Sequence, residues 1–246
     1  MKLSQNFLID ERVAERQIRY ADLKSTDRVL EVGPGNGILT RKMAQVARVI
    51  TIEIDASLAK KLEGLKNVEV INEDAMKVDF SSLDFNKIVS NIPYHISSPL
   101  TFKFLDETFD VAILMYQKEF AERMVAKHGS KKYSRLSVMV YQKADCRILE
   151  NVPRTAFRPV PKVDSCIVEM KPVGKRFDVD DEIFDRVVAS LFSHRRKKIK
   201  NALMIDGIID EEMVARLPFM GERVEHLSPE QIAELCRKLE VLNEGV

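Results

Sequence analysis

At 246 residues with 45% hydrophobic content, the chain can bury a sizeable core, with room for one large domain and a smaller one. A formal net charge of +1 excludes a globally polycationic nucleic-acid binder, so any affinity for a polyanion has to come from local clusters. No apolar run approaches the roughly 20 residues needed to span a bilayer and no signal-peptide core opens the chain, so a cytoplasmic protein is expected.

Asp10 is placed to cap a first helix ending near Asp22. Arg28-Val29-Leu30-Glu31-Val32 reads as a strand that runs into Gly33-Pro34-Gly35-Asn36-Gly37 and then into a helical pattern over 38–46. A second strand over 49–54 is followed by a helix over 56–65 capped by Asp55, and a third strand over 68–71 ends at Glu73-Asp74-Ala75. The short apolar run 87–90 reads as a buried strand leading into Asn91-Ile92-Pro93-Tyr94. Ser98-Pro99 then starts a helix to about Asp106, with Pro at its first position. A strand over 109–116, helices over 118–127 and 135–143, and strands over 145–152 and 163–170 follow; the last two bracket a loop holding Phe157. Past Gly174 no strand is convincing, and segments 180–192, 195–204, 210–217 and 229–242 read helical, the last opened by a Ser228 to Gln231 capping box. The alternation predicts an α/β fold, a doubly wound, mostly parallel sheet over 1–174, with a small all-helical domain over 175–246.

The tetrapeptide Asn91 to Tyr94 combines an amide acceptor, a rigid residue without N–H and an aromatic ring at a strand end. That set suits a flat, nitrogen-bearing substrate, although Asn and Pro also form ordinary turns. Strand, glycine loop and helix form a nucleotide-binding turn, and Glu53 stands 20 residues after Gly33, where an acid can bind both ribose hydroxyls. The spacing is G-x-G-x-G rather than the nicotinamide fingerprint G-x-G-x-x-G, and Glu31 precedes it. Acids suit the ammonium and sulfonium of S-adenosyl-L-methionine, whereas a pyrophosphate wants helix N–H groups and cations, so adenosylmethionine is favoured over a nicotinamide cofactor.

Two basic clusters stand out: Arg195, Arg196, Lys197, Lys198 and Lys200 without an intervening acid, and Lys127, His128, Lys131, Lys132 and Arg135 around Gly129-Ser130. Either can be a solvated surface, but two clusters in a chain with a base-gripping motif favour phosphate contacts. Cys146, Cys166 and Cys236 are odd in number and lack metal-ligand spacing; they read as reduced, mostly buried hydrophobes, and no metal is expected.

Gln5-Asn6-Phe7-Leu8, Glu31-Val32-Gly33-Pro34-Gly35-Asn36-Gly37, Glu53, Asp74-Ala75, Asn91-Ile92-Pro93-Tyr94, Phe157-Arg158-Pro159-Val160-Pro161-Lys162-Val163-Asp164-Ser165 and the basic stretch ending at Asn201 occur in one order. Together they make the chain similar to the small-subunit ribosomal RNA adenine dimethyltransferase family. The family more often has Leu where Ile92 stands, a volume-conserving swap. The resemblance implies a methyltransferase sheet whose final strand is antiparallel, and no N-terminal extension is expected before the first motif. It assigns Gln5, Asn6 and Leu8 to a lid over the methionine end of the cofactor and Gly33 and Gly35 to backbone contact. Glu53 would bind the ribose, Asp74 with Ala75 the adenine, and Glu31 would sit near the methionine ammonium. Asn91, Pro93 and Tyr94 would grip the target adenine, Asn91 also contacting the cofactor, with Phe157 as the opposing face of a clamp. The substrate implied is two adjacent adenosines in a hairpin loop near the 3′ end of small-subunit rRNA, in an assembling subunit, with the enzyme a monomer. A related enzyme acting on large-subunit rRNA to confer macrolide resistance, and an assembly factor that uses the fold mainly to bind RNA, are the alternatives.

Overall fold

The computed structural model describes residues 6–244, which divide into two compact units, 6–122 with 144–172 and 123–143 with 173–244. The first unit contains β1 (Phe7–Leu8), α1 (Glu11–Ala21), β2 (Arg28–Val32), α2 (Ile38–Met43), β3 (Arg48–Ile52), α3 (Ala56–Lys60), β4 (Val68–Ile71), β5 (Lys87–Asn91), α4 (Ser97–Leu105) and β6 (Val111–Gln117). After α5 (Lys118–Met124), which crosses into the second unit, it is completed by β7 (Ala144–Val152), β8 (Phe157–Arg158) and β9 (Ser165–Pro172).

Seven strands form one sheet in the order β4-β3-β2-β5-β6-β9-β7. β2 pairs in parallel with both β3 and β5, so the chain winds outward in opposite directions on the two sides of β2. That makes the carboxyl ends of β2 and β5 a topological switch point, where sheets of this kind open a crevice. The β2–β5 ladder covers only Val29↔Lys87 and Leu30↔Ile88. Beyond it the Ser90 hydroxyl takes over, donating to Val32 O (2.6 Å) while accepting from Val32 N (3.3 Å). β9 runs antiparallel between β6 and β7. β1 and β8 form a separate antiparallel ribbon pairing Phe7 with Arg158 and Leu8 with Phe157.

The central strands are apolar on both faces because helices cover them: Val29, Leu30, Val32, Val49, Ile52, Ile88 and Val89 are buried. The Asp10 carboxylate caps α1, accepting from Arg12 N (2.9 Å) and Val13 N (3.2 Å), and Val13, Ala14, Gln17 and Ala21 form the stripe it buries. α2 and α3 stop short of the predicted 46 and 65. Their last turns tighten into i→i+3 bonds, Val46 N to Met43 O and Leu62 N to Ala59 O, both 2.9 Å. α4 starts at Ser97, so Pro99 stands third rather than first, still within the turn whose N–H groups lack helical partners.

The second unit holds α6 (Arg135–Lys143) and, after β7 to β9 in the chain, α7 (Asp181–Ser193), α8 (Ile199–Ile205), α9 (Glu211–Val214) and α10 (Pro229–Glu244). Phe184, Val187, Val188 and Leu191 of α7, Leu203 of α8 and Ile232 and Leu235 of α10 are buried. The Ser228 box forms: Ser228 N donates to Gln231 Oε1 (2.9 Å) and Gln231 N to Ser228 Oγ (3.4 Å). Two expectations change here. Residues 123–143 group with the C-terminal helices rather than with the sheet, so a single boundary near Gly174 describes only one of the crossings. Arg195 to Lys198 form a turn rather than the first turn of a helix, because the Arg195 guanidinium reaches back to Lys131 O and Ser130 O (both 3.0 Å).

Candidate active site

A cavity of about 310 Å³ opens at the carboxyl ends of β2, β3 and β5. Asn6, Gly33, Gly35, Glu53, Asp74, Ala75, Asn91, Pro93, Tyr94 and Phe157 all line it, so most residues selected from the sequence converge on one space. Two glycines are required by their neighbours. Gly33 has φ +71° and a Cβ there would sit 2.9 Å from Pro93 Cγ; Gly35 has φ +56° and a Cβ would sit 2.8 Å from the Phe7 ring. The glycine loop is thus packed against both the Asn91 motif and the β1 ribbon.

The Glu53 carboxylate, one residue past β3, holds that loop: Oε2 accepts from Gly35 N (3.2 Å) and Oε1 from Asp55 N (3.0 Å). Past β4, Asp74 Oδ1 accepts from Met76 N (2.9 Å). The same turn is secured by Lys103 of α4, whose ammonium donates to Ala75 O (3.1 Å), Met76 O (3.4 Å) and Val78 O while lying 4.3 Å from the centre of the Phe80 ring. β5 delivers Asn91, with Ile92 N bonded to Met115 O (3.1 Å). Asn91 Oδ1 is buried and has no hydrogen-bond partner, a costly arrangement for an amide oxygen unless a ligand donates to it. The Pro93 carbonyl accepts from Ile96 N (3.1 Å), starting the tight turn that carries Tyr94. Tyr94 is half-buried, its phenol oxygen lies 2.9 Å from Ser165 Oγ, and burial raises its pKa against that hydrogen bond. Phe157 is 3% exposed and both lines the cavity and packs in the core beside Leu8.

Two expectations differ, and a third is not described. Leu8 is buried in the core and does not line the cavity; strand alternation turns its neighbour Phe7 to the cavity instead. Glu31 also lies off the lining, buried on β2 with Oε2 accepting from Thr40 Oγ1 (2.6 Å). Gln5 falls outside the described residues. Burial, opposed by the Thr40 hydroxyl and reinforced by the Glu53 charge, pushes the Glu31 carboxyl up to about 8. The folded chain therefore holds a proton that the unfolded chain releases near 4.5, so stability falls as pH rises from about 4.5 to about 8 and the contribution is flat above. Glu31→Gln, which keeps the acceptor for Thr40, is expected to remove up to about 1.4 kcal/mol of this loss per pH unit. Urea unfolding at several pH values across that window checks it; equal slopes for both proteins contradict a protonated Glu31.

All ten basic residues of the two clusters lie in the second unit. Arg195 is committed internally, to the 130–131 carbonyls and to Glu225 (3.5 Å), and Arg135 meets Asp185 (3.4 Å). Lys131, Lys132, Arg196, Lys197, Lys198 and Lys200 are exposed. Cys166 and Cys236 are buried and Cys146 half-buried, and among the described residues no three His, Cys, Asp or Glu side chains cluster as metal ligands and no helix is long and apolar enough to cross a membrane.

A switch-point crevice of nucleoside size, a glycine loop held by a strand-end acid and an Asn-Ile-Pro-Tyr motif on the neighbouring strand define an adenosylmethionine-dependent methyltransferase. The chain belongs to the ribosomal RNA adenine dimethylase family, whose sequence profile matches residues 1–240. It is 43% identical, over 97% of its length and 91% of the other protein, to the probable ribosomal RNA small subunit methyltransferase A of Methanopyrus kandleri. It is 45% identical, over 96% and 91%, to the protein of the same name from Methanosarcina acetivorans. Among solved structures, a dimethyladenosine transferase from Plasmodium falciparum matches with a TM-score of 0.83 at 32% identity, covering 98% of each chain. The 23S rRNA methyltransferase ErmE matches with a TM-score of 0.69 at 31% identity, covering 96% of this chain and 100% of that one.

Proposed function

We propose that this chain transfers methyl groups from S-adenosyl-L-methionine to the exocyclic N6 of two adjacent adenosines in the 3′-end hairpin loop of small-subunit rRNA, yielding N6,N6-dimethyladenosine in the assembling subunit, in the cytoplasm. The observation that carries the reading is the buried, unpartnered Asn91 Oδ1 beside the glycine loop. Adenine N6 is a poor nucleophile because its lone pair is delocalised into the ring. If Asn91 Oδ1 and the Ile92 carbonyl each accept one N6 hydrogen, the nitrogen pyramidalises and its lone pair is aimed at the methyl group. The Pro93 carbonyl is already used by Ile96 N, which leaves the Ile92 carbonyl as the second acceptor. Adenosylmethionine, when bound, supplies a methyl already activated by its sulfonium, so the work of these residues is orientation. N6 becomes strongly acidic as its new bond forms and sheds its proton without a dedicated base; His95, exposed at the cavity rim, is left without a catalytic role.

Unstacking the target base costs a few kcal/mol, and stacking on Tyr94 and Phe157 returns roughly 1 to 3 kcal/mol per base. In the cofactor half, Glu53 binds the ribose hydroxyls, Asp74 with the Ala75 backbone binds the adenine, and Asn6 and Phe7 cover the methionine end. The relatives named for the small subunit are 43% and 45% identical, against 31% for the 23S enzyme, which favours the small-subunit substrate. Labelled adenosylmethionine incubated with undermethylated small and large subunits tests this: label is expected in small-subunit RNA, and label confined to large-subunit RNA overturns it. The exposed cations of the second unit supply phosphate contacts. Replacing Arg196, Lys197, Lys198 and Lys200 by alanine together is expected to weaken RNA binding and flatten the dependence of log K on log salt, by roughly 0.7 to 0.9 for each phosphate no longer neutralised. Filter binding across a salt series measures it, and an unchanged slope assigns that turn to ordinary solvent exposure.

A further inference from the structure

We propose that Ser165 is a positioning residue for Tyr94, fixing where the long axis of the tyrosine ring lies relative to the segment that carries Phe157; the proposal rests on the N6-methylation reading above. Tyr94 leaves β5 on a single tight turn, Tyr94–Ile96, and its ring is only half-buried, so packing alone leaves it freedom about its side-chain torsions. Its phenol oxygen, however, lies 2.9 Å from Ser165 Oγ. Ser165 is fully buried and is the first residue of β9, where it pairs on one side with Gln117 of β6 and on the other with Val152 of β7.

Ser165 is also where the segment 158–164 that follows Phe157 re-enters the sheet. Its neighbour Asp164 closes that segment, the carboxylate accepting from Arg154 N (2.9 Å) and the carbonyl from Lys118 N (2.9 Å). The phenol is therefore tied to the residue at which that segment is anchored in the sheet. A tyrosine held at both its Cα and its hydroxyl keeps its ring axis in one place, whereas phenylalanine at the same position keeps the stacking area without that constraint. Orientation matters most in the second transfer. Unmethylated N6 offers two hydrogens to Asn91 Oδ1 and the Ile92 carbonyl, but the monomethylated amine offers one, so ring stacking carries a larger share of the alignment.

The test compares Tyr94→Phe, Ser165→Ala and the double variant with the wild-type chain on undermethylated small subunits. It reads kcat/KM, the ratio of monomethyl- to dimethyladenosine at equal total incorporation, and the Kd for adenosylmethionine. Each single variant is expected to lose about tenfold in kcat/KM, the size of one missing hydrogen bond, and the double variant to be no worse than the weaker single. The monomethyl share should rise in all three, with cofactor Kd unchanged. A Ser165→Ala variant that had merely loosened the sheet would slow both transfers equally, leaving the ratio at its wild-type value, and its loss would multiply with that of Tyr94→Phe; either result overturns the proposal. Should Ser165→Ala fail to fold, Tyr94→Phe decides alone, and wild-type kinetics with a wild-type ratio overturn it. A wild-type chain that forms no dimethyladenosine overturns the underlying reading instead, and this proposal with it.

Discussion

Asn91→Ala is expected to lower kcat by about 10²- to 10³-fold while the Kd for adenosylmethionine rises no more than a few-fold. The side chain removed is one whose Oδ1 is buried without a partner. In the absence of substrate its loss therefore costs little, because truncation removes an unpaired acceptor rather than leaving one behind. With substrate bound it removes one of the two acceptors proposed to aim the N6 lone pair. The glycine loop and Glu53 are untouched, since their contacts run to Pro93, Phe7 and Asp55 and not to the Asn91 side chain. Single-turnover methyl transfer and calorimetry with the cofactor separate the two effects. A fall in cofactor affinity as large as the fall in turnover contradicts the acceptor role and moves Asn91 to the cofactor.

Glu53→Ala should do the reverse, raising the Kd for adenosylmethionine about a hundredfold, the worth of two hydrogen bonds to a charged group. Glu53 is 4% exposed, and removing its carboxylate leaves Gly35 N and Asp55 N without their acceptor as well as removing the proposed ribose contact. Because the Gly35 loop would also relax, kcat at saturating cofactor is expected to fall, but by less than the affinity. Cofactor affinity that stays at the wild-type value would show that Glu53 serves only to brace the loop.

Strands β2 and β4 and helix α6 begin and end where the sequence pattern places them, because short β-branched runs and a helical run between clear flanks declare themselves in the sequence. Glu53 and Asp74 are legible for a related reason: an acid one to three residues past the carboxyl end of a parallel strand faces the crevice by topology. What stays hidden depends on contacts distant in sequence. Phe7 and Leu8 cannot be told apart by pattern, because a two-residue strand has no periodicity to say which side chain faces inward, and only its pairing with Phe157 and Arg158 decides it. Lys103 looks like any helix lysine until the turn 75–78 aims three carbonyls at it. Glu31 stands two residues before the glycine loop, as a cofactor ligand would, yet the partner its carboxylate finds is Thr40. The basic run after α7 reads as helix because lysine and arginine are good helix formers. The Arg195 contact with the 130–131 carbonyls, 64 and 65 residues away, holds it as a turn.

The central claim is that Asn91 Oδ1 and the Ile92 carbonyl grip an exocyclic amine, and it is tested most directly by the identity of the modified nucleoside. Small subunits lacking the modification, incubated with the protein and labelled adenosylmethionine and digested to nucleosides, are predicted to yield N6,N6-dimethyladenosine as the labelled end product. Label recovered at a ring nitrogen, a ring carbon or a ribose hydroxyl would contradict the account, since none of those positions offers the two hydrogens that the paired acceptors are arranged to receive.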